Sequence, residues 1–350
     1  MDTGTDQTWV QCEDCQHYGG CFGNPLIFLR NSKSRSYNPI PCDSHPLCYR
    51  GDCVDGYCSY RVEYLDRSVA RGILAQESFT FGIGRGRGRD TSDEVKLNLV
   101  FGCNRVYEGK PVNTDENGML GLMWGRRSLV DQLMTQGVIH RDIFSYCVPH
   151  YDNTDLGGVG YLEIGTDDDD NDYYSSTALK RYGEISTYFI ELNGISVGQT
   201  RLPIDPYIFS RVHDLGGSII DSGCMFSYIA AGAYTVLTRM LKDYFLKLGN
   251  YKTVKPRKTD FQFGLCYKDL EAGRKGLLPS ITLHYSGADL ELEPDNVFFH
   301  LTPNVFCLAM YPAYNGMSIL GAYQQSNFKF LYDRTNLMLR FKKEYCHQSA

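Results

Sequence analysis

Short stretches of alternating apolar and polar residues recur along the chain, and a helical period of 3.6 stands out in two places. Tyr60-Arg61-Val62-Glu63-Tyr64 alternates as a strand does and turns at Leu65-Asp66-Arg67-Ser68. It returns through Gly72 to Ala75 and Phe79 to Gly82, which predicts a hairpin over about 60–81. Thr8 to Cys12 and the apolar run Val95 to Cys103 predict further strands. Periodicity is lost between Cys12 and Cys58, so a loop-rich insertion is expected there. From Ala230 to Leu248, apolar residues at Tyr234, Leu237, Leu241, Phe245 and Leu248 mark one face of a helix packed on a core. Ser128-Leu129-Val130-Asp131-Gln132-Leu133 predicts a shorter helix with a serine N-cap.

Two stretches repeat each other. Met1-Asp2-Thr3-Gly4-Thr5 and Ile219-Ile220-Asp221-Ser222-Gly223 each place an acid, a hydroxyl and a glycine in a row, with the aspartates 219 positions apart. Each reads as a strand running into a tight turn, where glycine lets the backbone fold sharply. An aliphatic pair closed by glycine follows each: Met119-Leu120-Gly121 ends 119 residues after Asp2, and Ile319-Leu320-Gly321 ends 100 after Asp221. The repeat predicts two related lobes, 1–180 and 181–350. Two such turns meeting face to face would set two carboxylates at the bottom of a cleft. Carboxylates about 3 Å apart cannot both ionise, so they share a proton.

A hydrophobic share of 43% among 350 residues is globular, and 35 Gly, 26 Tyr and 18 Phe lean toward β structure. A net charge of −6 argues against nucleic acid as the main partner. No apolar run reaches ~18 residues, so no membrane span is expected. Thirteen cysteines, seven of them between Cys12 and Cys58, point to disulfides and a secretory route. Zinc at Cys12-x-x-Cys15 is the competing reading, but His17 and His45 do not complete a ligand spacing. No metal or cofactor is expected. The basic run Gly84 to Arg89 reads as an exposed hairpin loop before an anion or RNA site. The acidic run Asp167 to Asp170 reads as a solvated loop, because it lacks the glycine and glutamate spacing of a calcium loop. The chain opens on its first motif, without the strand expected to lead into Asp2. It reads as truncated or as an incomplete gene model, and a signal segment is not visible in it.

The chain resembles the pepsin-like aspartic proteases, and more closely their plant nepenthesin-like branch. The matching stretches are Asp2 to Asp6 with Trp9-Val10-Gln11-Cys12, Phe101-Gly102-Cys103, Gly121-Leu122, Phe144-Ser145-Tyr146-Cys147 and Gly194 to Gly198. Ile219 to Gly223, Leu320 to Gln325 and Leu331-Tyr332-Asp333 complete the set, so essentially the whole chain is covered. The resemblance implies a mainly β, bilobal fold of two β-barrel-like lobes with a substrate cleft between them. It implies a monomeric endopeptidase acting on protein or peptide substrates, secreted to the apoplast or held in the vacuole. Asp2 and Asp221 are the expected catalytic pair, supported by Thr3, Gly4, Thr5, Ser222, Gly223 and Cys224. Tyr64 matches the tyrosine of the flap hairpin that closes over substrate, its hydroxyl leaning toward Trp9.

The chain departs from the family pattern at two places in the site. The hydroxyl residue that usually follows the second Asp-Ser-Gly is Cys224, a weak donor. Losing a hydrogen bond to a charged group costs ~1.5–3 kcal/mol, up to about a hundredfold in rate. The flap turn, usually Tyr-Gly-Asp-Gly-Ser, is Tyr64-Leu65-Asp66-Arg67-Ser68, and a non-glycine residue at positive φ costs about 1 kcal/mol, so another turn is expected there. These departures leave an alternative open: a weak or inactive relative that binds proteins or acts as an inhibitor module. By the same resemblance the expected bridges are Cys12–Cys15, Cys21–Cys103, Cys42–Cys58, Cys48–Cys53, Cys147–Cys346 and Cys266–Cys307, with Cys224 left over.

Overall fold

Strands form where the alternation places them. In the computed structural model, which describes residues 1–83, 93–109, 117–150, 160–166, 173–255, 261–270 and 278–346, they dominate both halves of the chain. The basic run 84–89 and the acidic run 167–170 lie outside the described residues. Internal contacts divide the chain into Met1–Asp142 and Ile143–Ser349. The described residues between 143 and 180, which the sequence reading gives to the first lobe, pack with the second unit. The reason is strand Ile143–Cys147, which pairs with Phe328–Asp333.

The first unit is built on the hairpin of Val69–Ile83 with Asp93–Glu108. Tyr57–Glu63 pairs on its outer edge, and Trp9–Gln11 runs parallel to the far strand, with Val10 opposite Cys103. Period-2 alternation sorts the side chains to two faces. Leu74 and Val100 join Trp9, Ile40 and Tyr60 on one face, while Ile73, Ala75 and Phe101 join Cys12 and Cys103 on the other. The register shifts at Arg71/Gly72, where a Cβ on Gly72 would sit 2.0 Å from the Cys103 carbonyl oxygen. Only glycine fits that bulge.

In the second unit a six-stranded sheet runs in the order Lys180–Tyr182, Ile185–Ile190, Ser218–Ile220, Ser318–Leu320, Ser227–Ala230, Met310–Ala313. A five-stranded sheet buries Phe144, Tyr146, Phe330 and Tyr332. Helix Ala231–Leu248 buries Tyr234, Leu237, Leu241 and Phe245 as its spacing predicts, and Gly249 closes it at φ 73°. Ser128 caps Leu129–Thr135, its side chain accepting the Asp131 N–H at 3.2 Å.

Four of the expected bridges are corrected. Cys12 pairs with Cys103, Cys15 with Cys21, Cys42 with Cys53 and Cys48 with Cys58. Strand pairing decides the first of these. The parallel ladder sets Cys12 beside the far strand, its N–H on the Asn104 carbonyl and its Cα 5.4 Å from that of Cys103. Cys15, on a short helix capped by Gly19, is left to close with Cys21. Cys53 and Cys58 lie opposite each other on a small hairpin. Cys58 turns into the core with Cys48, and Cys53 faces outward with Cys42. Cys147–Cys346 and Cys266–Cys307 form as expected, and Cys224 is the cysteine outside the six bridges.

Candidate active site

The same turn is constructed twice. In the first unit the Asp2 N–H donates to the Leu120 carbonyl, and the Leu122 N–H returns a bond to the Asp2 carbonyl, both at 2.9 Å. The Asp2 carboxylate is almost wholly buried, and its Oδ1 accepts the Gly4 N–H at 2.7 Å. In the second unit Ser218–Ile220 runs parallel to Ser318–Leu320. The Asp221 N–H donates to the Leu320 carbonyl at 3.1 Å, and Asp221 Oδ1 accepts the Gly223 N–H at 2.9 Å. Each carboxylate is thereby fixed by the glycine two residues on. Gly121 and Gly321 have one reason in common. A Cβ on Gly121 would lie 2.6 Å from the Asp6 backbone, and one on Gly321 2.5 Å from the Phe226 backbone.

Two hydroxyls that the sequence reading passed over complete the repeat. Thr8 Oγ1 accepts the Gly121 N–H at 3.1 Å, and Ser227 Oγ accepts the Gly321 N–H at 2.9 Å. Each stands six residues after its aspartate, so the shared offset was the available signal.

The halves differ one residue past each turn's glycine. Thr5 is buried and its Oγ1 accepts the Gln7 N–H at 3.3 Å, whereas the Cys224 thiol donates to the Phe226 carbonyl at 3.2 Å. Thr3 is fully buried, Ser222 is half-buried, and Gly4 and Gly223 are exposed. Beneath the second turn lies Tyr146, close to Ser222 and hydrogen-bonded through its hydroxyl to Gln325 and Tyr332. Burial pushes the Tyr146 hydroxyl far above the ordinary phenol range, with the Asp221 charge adding to it. Tyr146 and Gln325 belong to stretches that carry the family resemblance, yet nothing local in the sequence shows that they meet under Ser222.

The Tyr64 hydroxyl accepts the Trp9 Nε1–H at 2.7 Å, the contact that the resemblance implies. Burial raises the Tyr64 hydroxyl well above its usual range, and the nearby Asp2 charge adds to this, so it stays a neutral phenol beside the first turn. The hairpin turn differs from the expectation that Arg67 forces another geometry. The Arg67 N–H reaches the Tyr64 carbonyl at 2.9 Å with Arg67 itself at φ 69°. Asp66 Oδ1 accepts both the Ser68 N–H at 2.8 Å and the Ser68 hydroxyl at 2.6 Å. With the Tyr64 N–H donating to the Ser68 carbonyl at 2.9 Å, this is a three-residue hairpin loop with Arg67 at the left-handed position. Asp66 stabilises it against the roughly 1 kcal/mol that a Cβ costs at that φ.

Asp6, four residues after Asp2, lies beside Arg127 and packs where a Gly125 side chain would otherwise be. Arg127 is buried and reaches outward into the insertion. Its Nε donates to the Leu47 carbonyl at 3.0 Å, its Nη2 pairs with Asp52 at 2.7 Å, and its guanidinium lies 4.0 Å over the Tyr49 ring. Desolvation raises the Asp6 carboxyl above its ordinary value, against the opposing pull of Arg127. A raised carboxyl favours folding below the unfolded pKa, and that contribution is lost as pH rises through the folded value. Asp6→Asn is therefore expected to gain stability relative to the parent on going from pH 3 to pH 6. Paired thermal melts check it, and a variant that loses ground over that interval would contradict the assignment.

The described residues hold one Cys/Asp cluster with metal-ligand spacing, Cys12, Asp14 and Cys103, and two of its sulfurs are joined in a bridge. Asp14 is instead paired with Arg105 at 2.9 Å.

A mainly β chain with two strand–Asp–Thr/Ser–Gly turns, each held by an aliphatic–Gly strand, has the pepsin-like fold. Solved structures agree. Crystal structures of edgp and of lupine conglutin gamma superpose with TM-scores of 0.72 and 0.71 at 18% and 22% identity, each covering 98% of this chain and 87% of the other. Family models described as xylanase inhibitor N-terminal and xylanase inhibitor C-terminal match residues 1–166 and 187–343. Aspartic proteinase nepenthesin-1 of Nepenthes gracilis is 31% identical over 362 residues, covering 100% of this chain and 75% of its own length. Nepenthesin-2 of the same plant is 31% identical, covering 100% and 74%. The chain belongs to the plant, nepenthesin-like branch of the pepsin-like aspartic proteases. Among the described residues no helix is long and apolar enough to cross a membrane.

Proposed function

We propose that the protein is an aspartic endopeptidase that hydrolyses peptide bonds in protein substrates at acid pH, with Asp2 and Asp221 as its catalytic pair. The observation that carries this reading is the doubled turn, in which each aspartate is buried and anchored through one oxygen to a backbone N–H two residues on. Each turn thereby holds its carboxylate in a fixed orientation for the chemistry. One carboxylate, ionised, takes a proton from a water. The other, protonated, donates to the peptide carbonyl as the water attacks, and no covalent enzyme intermediate forms. The proton belongs to the pair and not to either residue. Tyr64, neutral and tied to Trp9, acts as the flap residue over bound substrate. Six bridges suit an oxidising compartment, so the proposed location is the secretory route, ending in the apoplast or vacuole, and the proposed state is a monomer.

Digestion of a denatured protein across pH 2 to 8, with and without a transition-state-mimicking pentapeptide inhibitor, tests the reading. Inhibitor-sensitive cleavage is expected at acid pH, falling as pH rises through the upper apparent pKa of the pair. A folded protein with no such cleavage anywhere in that range would favour the second reading, a protein-binding relative. That reading draws on the xylanase-inhibitor description of both matching domains and on Cys224.

The Cys224 thiol is directed to the Phe226 carbonyl at 3.2 Å. If it supports Asp221 less well than a hydroxyl does, Cys224→Thr should raise kcat about tenfold, the equivalent of ~1.4 kcal/mol of recovered hydrogen bonding. An unchanged or lower kcat would show that the thiol is no handicap.

A further inference from the structure

Among the described residues outside the two Asp-Thr/Ser-Gly turns, one cluster of side chains has the hydrogen-bond order of a nucleophilic triad. Ser196, His284 and Asp289 come from three adjacent strands of a four-stranded antiparallel sheet, Leu192–Val197, Ile281–Tyr285 and Ala288–Leu292. Register puts them on one face. His284 is directly opposite both Gly194 and Asp289, and Ser196 is two residues from Gly194. The Ser196 hydroxyl lies 2.7 Å from His284 Nε2, and His284 Nδ1 lies 2.7 Å from Asp289 Oδ1. A carboxylate on Nδ1 fixes the tautomer that leaves Nε2 as the acceptor for the serine proton, the division of roles that a Ser-His-Asp triad requires.

The same face supplies a cation. Arg201 pairs in register with Ser196, and its guanidinium folds back over Gly194, where a Cβ would lie 2.4 Å from Nη2. One N–H of Nη2 donates to the Asn193 carbonyl at 3.1 Å, and a guanidinium carries four further N–H donors. Gly194 thus makes the notch in which a positive group stands beside the nucleophile. Ser196 is only 7% exposed, while the side chains of His284 and Asp289 are 16% and 64% exposed. Access of that kind suits slender acyl groups and excludes a polypeptide.

We propose that Ser196, His284 and Asp289 form a second nucleophilic site, independent of the paired aspartates, that accepts small acyl groups from activated esters. Ser196 Oγ attacks the ester carbonyl while its proton passes to His284 Nε2. The Arg201 guanidinium faces the developing oxyanion. The carbonyl–oxygen bond to the leaving group breaks, and that oxygen takes the proton from Nε2. Water then attacks the acyl-serine, giving its proton to Nε2, and Ser196 regains it as the carboxylic acid departs.

The test uses the intact protein at pH 7.5, where the proposed dyad chemistry is suppressed, with p-nitrophenyl acetate and a fluorophosphonate probe followed by peptide mapping. Ser196 is expected to carry the acetyl and the phosphonyl group, unaffected by the pentapeptide inhibitor. Ser196→Ala should abolish both labels, and Asp289→Asn should slow phosphonylation by roughly 10³–10⁴-fold. Acid proteolysis by Ser196→Ala should match the parent, which shows that the variant is folded and separates this site from the aspartate pair. Labels found on other residues only, no label at all, or ester hydrolysis equal in Ser196→Ala and the parent, would each overturn the proposal.

Discussion

Asp221→Asn is expected to lower kcat for acid proteolysis by at least about 10⁴-fold, the scale seen when one member of a catalytic unit is removed. The substitution keeps the size of the side chain, and its Oδ1 still accepts the Gly223 N–H that anchors the native carboxylate at 2.9 Å. The turn should therefore keep its shape, and the thermal midpoint should stay near that of the parent. What disappears is the ability to hold or release the shared proton. Asp2→Asn should behave alike, because its Oδ1 is held by the Gly4 N–H in the same manner. The double variant should be little worse than either single one, since groups acting as a unit are non-additive. Full cleavage by Asp221→Asn would assign the activity to other residues. A fall in rate that tracks a fall in stability would make the turn structural.

Loss of the Cys147–Cys346 bridge should cost about 5 kcal/mol of stability, because it closes a loop spanning 199 residues. Cys15–Cys21 spans 6 residues, and the same chain-entropy model gives only about 2 kcal/mol for it. Both cysteines of the long bridge are buried, so serines in their place would add the penalty of two covered hydroxyls to the lost constraint. Denaturant unfolding of the Cys147→Ser/Cys346→Ser and Cys15→Ser/Cys21→Ser variants checks the ranking. Equal losses would mean that constraint of the unfolded chain is not what these bridges contribute.

The two Asp-Thr/Ser-Gly turns were legible because what makes them is local. An aspartate, a hydroxyl and a glycine in sequence are enough to form the turn, and the aliphatic–Gly pair marks where another strand crosses it closely. The hairpin of Tyr60 to Gly82, the Ser128 cap and the buried face of Ala231–Leu248 were legible for the same reason, since period and cap depend on near neighbours. Tertiary structure alone decided what depends on distant partners. Cys12 finds Cys103 because a parallel ladder 91 residues away in sequence sets their backbones side by side, and a list of spacings cannot encode that register. Thr8 and Ser227 look like ordinary strand residues until the Gly121 and Gly321 N–H groups arrive on them. Tyr146 reaches Ser222 only because Ile143–Cys147 joins the sheet of the second unit, the pairing that also moves the described residues between 143 and 180 out of the first. Arg67 holds a glycine conformation because Asp66 and the hairpin register outweigh its own local preference by more than the kilocalorie or so at stake. Chemistry carried by residues close in sequence could be read directly; pairings closed by long loops waited for the fold, because only the packed sheets determine which backbones come within bonding distance.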